Sequence, residues 1–136
     1  MDEQIFKVDF EVRDYECDLQ GIVNNAVYQN YYEHTRHKFL KSVNLDFNKL
    51  HQQGIDAVVY RVEIDFKYSL TSGDSFTCYL KLRKSGNLKY IFDQHIIRHS
   101  DEKLCSKATV TTVCVQNGRP VICKEVDDAF REYMSN

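Results

Sequence analysis

Residues 14–28 have the sequence DYECDLQGIVNNAVY, and this stretch joins a predicted strand to a predicted helix. Three carboxylates and a glycine come first, as expected of a polar loop. Asn24 and Asn25 follow, and either side chain is a natural N-cap for a helix. The stretch therefore predicts a loop that leads the chain directly into a helix.

The segment after this loop, Asn25–Ser42, has the spacing of a long helix with one buried face. The residues on that face are Tyr28, Tyr32, Thr35 and Phe39. Two shorter helices are predicted at Phe47–Gln53, which stops at Gly54, and at Glu125–Met134.

Five further segments alternate apolar and polar residues, the period of strands that have one face in water. They are Phe6–Val12, Val58–Phe66, Phe76–Arg83, Tyr90–Arg98 and Lys103–Val115. Predicted turns at residues 84–87 and 117–120 follow two of these strands. A five-stranded antiparallel sheet packed against one long helix, with a short C-terminal helix, is an α+β architecture.

The composition of the chain argues against several classes of protein. The 136 residues fit a single domain, 1–136, and 18 basic against 20 acidic residues give no basic excess for binding nucleic acid. No apolar run is long enough for a membrane span. Five cysteines without a C-x-x-C pair, and charged residues alternating with apolar ones over residues 1–10, predict a cytoplasmic protein without disulfides.

The loop before the long helix is the strongest candidate for chemistry. Backbone N–H groups at a helix N-terminus are free to bind an anion or a developing oxyanion. A carboxylate held opposite them could deprotonate water or attack a carbonyl carbon while the amides polarise the carbonyl. The alternative is an acidic loop whose asparagines only cap the helix.

The residues of this loop resemble a family signature. Residues 18–25, DLQGIVNN, followed by Tyr28, Tyr32, Glu33 and Arg36, are similar to the motif of hotdog-fold acyl-CoA thioesterases of the hydroxybenzoyl-CoA thioesterase type. The order of elements over nearly the whole chain, and Gly73-Asp74 after the second strand, also fit that family. The resemblance implies a single hotdog domain without a cofactor, assembled as a homodimer or homotetramer with active sites between subunits.

The resemblance also implies roles for single residues. Asp18 matches the catalytic aspartate, and the backbone at Asn24 and Asn25 matches the amides that hold the thioester carbonyl. Gly21 matches the loop glycine, where the lack of a Cβ permits close approach. Many relatives have histidine where Ile22 or Asn25 stands here, so the mechanism implied for this chain depends on Asp18 and backbone donors.

Other candidates have weaker patterns. Glu33 lies two helical turns after Asn25, where some hotdog thioesterases place their carboxylate, but an ion pair with Arg36 or His37 is the alternative. Cys17 has no histidine near it in sequence that would activate a thiol. The five histidines lack the spacing of metal ligands, so we predict no metal site.

Substrate binding is assigned to two groups of side chains. Arg83, Lys84 and Lys89 flank a turn where related enzymes meet coenzyme A phosphates, although a solvated surface is the alternative. The tyrosines that could line an acyl tunnel, or instead form the core between helix and sheet, are Tyr28, Tyr31, Tyr32 and Tyr68.

Together these observations predict hydrolysis of acyl-CoA to a free acid and coenzyme A. Three alternatives stay open: an acyl carrier protein thioesterase, a hotdog hydratase and a non-catalytic acyl-CoA-binding module. The hydratase would need a histidine paired with the aspartate on the loop, and the loop has none.

Overall fold

The computed structural model describes residues 5–135, so the first four residues of the predicted domain and of its N-terminal pattern, and Asn136, lie outside the described residues. Its strands are β1 (Phe6–Glu11), β2 (Ile55–Phe66), β3 (Ser75–Ser85), β4 (Lys89–Arg98), β5 (Leu104–Gln116), β6 (Arg119–Val121) and β7 (Met134–Ser135). Its helices are α1 (Asn25–Ser42), α2 (Phe47–Gln52) and α3 (Lys124–Phe130), and a single 3-10 turn covers Asp14–Glu16. None of the helices between residues 5 and 135 is long and apolar enough to cross a membrane.

The five long strands form one sheet in the order β1-β3-β4-β5-β2, and each neighbouring pair is antiparallel. The short strands extend it, since β6 pairs with the end of β5 and β7 pairs in parallel with β3. The α+β prediction is confirmed. The two outer long strands are β1 and β2, so their outer edges have no long neighbour among residues 5–135.

Helix α1 has the predicted bounds, and its predicted face is buried. Tyr28, Tyr32, Thr35 and Phe39 are each at most 3% exposed, and Tyr31 is buried beside them. Asn24 is the N-cap, because its Oδ1 accepts the Ala26 N–H at 2.9 Å. The spacing of these buried residues and the capping asparagine are both local features of the sequence, which explains why the helix could be predicted.

The C-terminal segment differs from the prediction. The helix predicted for Glu125–Met134 ends at Phe130, and the chain returns to extended backbone at Met134. There it pairs with Leu82 and Arg83 of β3, beyond Leu80, which lies opposite Phe6 at the start of β1. A free stretch of strand edge offers backbone hydrogen bonds that compete with continuation of the helix. The predicted turn at 117–120 likewise contains the start of β6, because Arg119 pairs with Gln116.

Strand β2 is the second difference. It begins at Ile55, three residues before the predicted Val58, and its register against β5 shifts between Val59 and Arg61, which breaks the predicted alternation. Its apolar side chains are also more exposed to solvent than is usual for a strand. Val58, Val59, Tyr60, Val62 and Phe66 are between 37% and 51% exposed. The edge strand β2 therefore lacks the buried face that its sequence pattern predicts.

The five cysteines are free thiols; Cys78, Cys105, Cys114 and Cys123 are buried, and Cys17 is partly buried.

Candidate active site

The loop between β1 and α1 is a miniature hairpin. Cys17 pairs with Val23 in an antiparallel bridge, the Asp18 N–H donates to the Ile22 carbonyl at 2.9 Å, and the Gly21 N–H donates to the Asp18 carbonyl at 2.9 Å. Residues 18–21 thus form the turn at its tip, and the chain enters α1 directly after the second arm.

Gly21 closes this turn with a φ of +82°. Side chains other than glycine are strained in that conformation. A Cβ placed at Gly21 would meet no atom within 4 Å, so close approach to another group of this chain is not the reason for the glycine. Within this chain the glycine serves the backbone conformation of the turn, and its expected role in close approach to a group outside the chain stays a prediction.

Asp18 is exposed at the tip, with one oxygen engaged. Its Oδ1 accepts the Gln20 N–H at 2.8 Å, which fixes the side chain against its own turn. No second hydrogen bond to this carboxylate occurs among residues 5–135. The other oxygen is therefore open to water or to a substrate.

The helix start supplies one free backbone donor beside the hairpin. Asn24 does not supply it, because its Oδ1 caps Ala26, its carbonyl accepts the Val27 N–H at 2.9 Å, and its own N–H donates to the Glu16 carbonyl at 3.1 Å. Asn25 is the first helical residue, so its N–H has no acceptor within the helix. The first turn of α1 holds no acidic residue, and its positive dipole end is not neutralised there.

The base of the hairpin is held by Glu16. Its Oε1 accepts the Arg13 N–H at 2.8 Å and the Tyr31 hydroxyl at 2.9 Å. Burial, followed by the bond to Glu16, raises the pKa of Tyr31, so the phenol stays protonated and continues to donate. Glu16 thus fixes the loop to α1. The sequence did not indicate this role, because Tyr31 lies fifteen residues away.

A second loop, residues 67–74 between β2 and β3, supports the hairpin from the other side. Ile22 bridges to Thr71, and the Val23 N–H donates to the Leu70 carbonyl at 2.9 Å. The Leu70 N–H in turn donates to the Tyr28 hydroxyl at 3.1 Å. The two loops and α1 therefore form one hydrogen-bonded unit.

Within the 67–74 loop, Asp74 caps its own turn by accepting the Thr71 N–H at 2.8 Å. Arg98 lies 3.6 Å from Asp74 and donates to the Ser69 carbonyl at 3.0 Å. Arg98 also binds Asp101 through two nitrogens, and these bonds lower the pKa of Asp101 to about 2. Gly73-Asp74, which fits the family pattern, therefore has a structural role, because it lies in the 67–74 loop that supports the hairpin.

Tyr28 and Tyr32, both assigned to substrate binding, lie in the core. The Tyr28 hydroxyl accepts from Leu70, and the Tyr32 hydroxyl donates to Ser106 Oγ at 2.7 Å. Burial raises the pKa of both phenols. This placement corresponds to the core alternative for these tyrosines.

Arg83, Lys84 and Lys89 lie at the other end of the sheet from Asp18. The hairpin contacts the 67–74 loop that leads into the start of β3, whereas Arg83 is near the end of β3, which is roughly 33 Å long. Arg83 Nε pairs with Asp93 at 2.6 Å, Lys84 Nζ pairs with Asp127 at 2.6 Å, and Lys89 Nζ lies 5.9 Å from the centre of the Tyr60 ring. A single chain does not bring these cations to the Asp18 loop.

Glu33 is exposed on α1 and lies on the wall of a cavity with Arg36 and His37. It is not within ion-pair distance of either side chain, so the predicted ion pair is not formed. Cys17 is held in the hairpin bridge to Val23, and its thiol has no histidine partner among the described residues.

Comparison with known proteins shows the family and the fold of this chain. A family model described as the thioesterase-like superfamily matches residues 12–131. The acyl-acyl carrier protein thioesterase ATL3 (chloroplastic) of Arabidopsis thaliana is 32% identical over 119 residues, 87% of this chain and 63% of that relative. The chain thus spans about three fifths of that relative's length. The acyl-CoA thioesterase YbgC of Haemophilus influenzae is 30% identical over 127 residues, 89% of this chain and 92% of YbgC.

Among solved structures, a 1,4-dihydroxy-2-naphthoyl-CoA thioesterase from Synechocystis superposes with a TM-score of 0.87 at 16% identity, covering 95% of this chain and 97% of that one. At that identity the match shows a shared fold. The resemblance to hotdog thioesterases, inferred from residues 18–36, is confirmed. With a family model that covers it from Val12 to Arg131, this chain belongs to the thioesterase-like superfamily.

Proposed function

We propose that this chain hydrolyses acyl-CoA thioesters to a free acid and coenzyme A at the N-terminal end of α1. One observation carries the proposal: the open carboxylate of Asp18 lies at the tip of a hairpin whose base is hydrogen-bonded to Asn24, and Asn24 directly precedes the free Asn25 N–H at the start of α1. An exposed base beside an electropositive helix end suits attack on a carbonyl that gains negative charge.

The Asn25 N–H would donate to the thioester oxygen, and the dipole of α1 would stabilise the oxyanion. Asp18 would either take a proton from the attacking water or attack the carbonyl carbon itself and form an anhydride that water then opens. In both routes the C–S bond breaks, and coenzyme A leaves as a thiolate with the electron pair of that bond. Neither route needs a cofactor.

We further propose a homodimer, or a dimer of dimers, that pairs β2 edges across a two-fold axis. The exposed apolar residues of β2 and its free edge support this assembly. Antiparallel pairing would bring the Ile55 end of one β2 next to the Phe66 end of the other. The partner subunit's Lys89 would then lie toward the Asp18 loop, where coenzyme A phosphates need cations. A sedimentation mass near 16.0 kDa at micromolar concentration would contradict this assembly.

An acyl carrier protein ester is the second candidate substrate, because the Arabidopsis relative is named as a thioesterase for such esters. A non-catalytic acyl-CoA-binding module is the third candidate. The cytoplasmic location predicted from the sequence belongs with this proposal, and the free thiols of residues 5–135 are consistent with it.

The test is a hydrolysis screen over aliphatic and aromatic acyl-CoA esters of graded length, with release of the free thiol as the readout. The same acyl groups are presented on acyl carrier protein in parallel. Turnover of coenzyme A esters is the expected result. Turnover of carrier-protein esters alone would reassign the substrate. Binding without turnover of any ester would favour the non-catalytic binding module.

A further inference from the structure

Strand β1 lies at the opposite edge of the sheet from β2, and its outer edge is unpaired among residues 5–135. Directly after β1, the Val12 N–H donates to the Asp74 carbonyl at 2.8 Å, toward β3. Because backbone groups alternate in direction along an antiparallel strand, Phe10 also bonds toward β3. The backbone groups of Asp9 and Glu11 therefore point outward and are free to pair with another strand.

A groove of about 630 Å³ lies along this edge, between β1 and α1. The rings of Phe10 and Tyr31 line it, with their centres 5.4 Å apart. At the roughly 30 Å³ that a water-sized group occupies in a liquid, the groove holds about twenty heavy atoms, or two to three side chains. Phe6, Val8 and Phe10 are only half-buried, so the helix-facing side of β1 is incompletely covered.

The charge of the groove is negative. Among residues 5–135, its walls carry the carboxylates of Asp9, Glu11 and Glu16 against one guanidinium, that of Arg13. Arg13 is turned to the Tyr15 hydroxyl, to which its Nη1 donates at 2.6 Å. Glu11 is exposed and has no ion pair with any residue between 5 and 135. The excess of carboxylates attracts a basic partner and repels an acidic one.

We propose that this groove binds an extended basic segment of a partner protein, which adds to the free edge of β1 as a further strand. Backbone hydrogen bonds to β1 would supply affinity, and the alternating side chains of the segment would supply specificity. An added strand would also cover the half-buried side of β1 that the chain itself leaves open.

The spacing of charges on β1 indicates the pattern of the segment. Asp9 and Glu11 lie two residues apart on one face, so they match two basic residues with one residue between them. Asp9 is fixed by the hydrogen bond that Thr77 Oγ1 donates at 2.5 Å, and its side chain stays 77% exposed. The residue between the two basic ones would face the groove beside Phe10 and Tyr31, where an apolar side chain fits. The recognised pattern is basic-apolar-basic.

A second copy of this chain suits the β1 edge less well, because it would bring an identical acidic edge against the first. The β2 edge differs, since its exposed side chains include Val59, Tyr60 and Phe66, which suit pairing between copies. Because β1 and β2 lie at opposite ends of the strand order, the dimer proposed above would leave β1 open. The partner site goes beyond the proposed function and does not depend on it.

The test measures peptide binding to the full chain by calorimetry at low salt. The probe is the capped hexapeptide TKLKTS, and the capped peptide TELETS reverses its charge with the same apolar residue. The lysine peptide should bind roughly tenfold more tightly, because it replaces two repulsive cross-strand charge pairs with attractive ones. No binding of the lysine peptide, or equal binding of the two peptides, would overturn the proposal.

A backbone control separates strand addition from simple attraction of charge. The lysine peptide N-methylated at its three central residues keeps both charges but loses the N–H groups that would pair with β1. It should bind roughly tenfold more weakly than the unmodified peptide, and equal affinity would overturn strand addition. Sedimentation tests the other occupant: if the lysine peptide lowers the mass of the assembly, a second copy pairs with β1 and the proposal is wrong.

Variants of the protein locate the site. Asp9→Asn combined with Glu11→Gln should remove the preference for the lysine peptide. Glu102→Gln combined with Glu132→Gln removes two exposed carboxylates elsewhere and should keep the preference. Thermal unfolding verifies that both double variants fold. Asp18→Asn should bind the lysine peptide as the wild type does, even if hydrolysis proves to need another residue. Loss of binding in Asp18→Asn would place the peptide at the hairpin tip and overturn the proposal.

Discussion

The base and the tip of the β1–α1 hairpin each hold a carboxylate, two residues apart, in opposite surroundings. At the base, Glu16 is partly buried and accepts hydrogen bonds from the Arg13 amide and the Tyr31 hydroxyl. At the tip, Asp18 is exposed and accepts only from its own turn. The comparison shows that hydrogen-bond partners give two similar carboxylates different roles. Glu16 holds the loop, whereas Asp18 is free to react.

Among the variants that keep both carboxylates, the largest effect should come from moving the open carboxylate of Asp18. Asp18→Glu keeps the charge but extends the side chain by one methylene, and a displacement of about 1 Å can cost ~10²-fold in rate. We expect kcat to fall by about that factor on the best substrate of the screen, with unchanged thermal stability. A rate equal to that of the wild type would mean that the position of this carboxylate is not critical.

The carboxylate at the base should respond in stability. Glu16→Ala leaves the Arg13 N–H and the Tyr31 hydroxyl without their acceptor, which should lower the free energy of unfolding by about 1–3 kcal/mol. Urea denaturation measures this change. Tyr31→Phe is the control, since it removes one of the two bonds and should cost less. If Glu16→Ala is as stable as the wild type, Glu16 does not hold the loop.

A smaller effect should arise at the turn itself. Gly21→Ala forces alanine into a φ of +82° and should cost about 1–2 kcal/mol. Gly54→Ala is a matched control, because Gly54 has the same φ, lies after α2, and would likewise bring an added Cβ near no other atom. Both variants should lose similar stability in thermal unfolding, but only Gly21→Ala should also lower kcat. Equal kcat values for the two variants would show that the conformation of the turn does not affect catalysis.

The same contrast explains what the sequence could reveal. Helix α1 and its cap at Asn24 were predictable because the period and the capping side chain lie within a few residues of each other. The candidate role of Asp18 came from a motif, which is also local. Glu16 is a carboxylate like Asp18, and the contact that fixes it to α1 is made by Tyr31, which only the fold brings close.

Features that depend on distant segments were not predictable. The alternation in β2 indicates a buried face but not which segment covers it, and residues 5–135 leave that strand largely exposed. The pairing of β7 with β3 depends on where β1 begins to pair with β3, which a C-terminal pattern does not contain. Likewise, the distance between Asp18 and Arg83 follows from sheet order rather than from the spacing of residues.

The most direct test of the central claim is the kcat of Asp18→Asn measured beside that of Glu33→Gln. Each substitution removes one exposed carboxylate and keeps the side-chain shape. A positioned base contributes ~10²–10⁴-fold, so Asp18→Asn should lose about that much in kcat with a far smaller change in KM, and Glu33→Gln should stay near the wild type. Near wild-type turnover in Asp18→Asn together with an inactive Glu33→Gln would place the catalytic carboxylate on α1 and contradict the account.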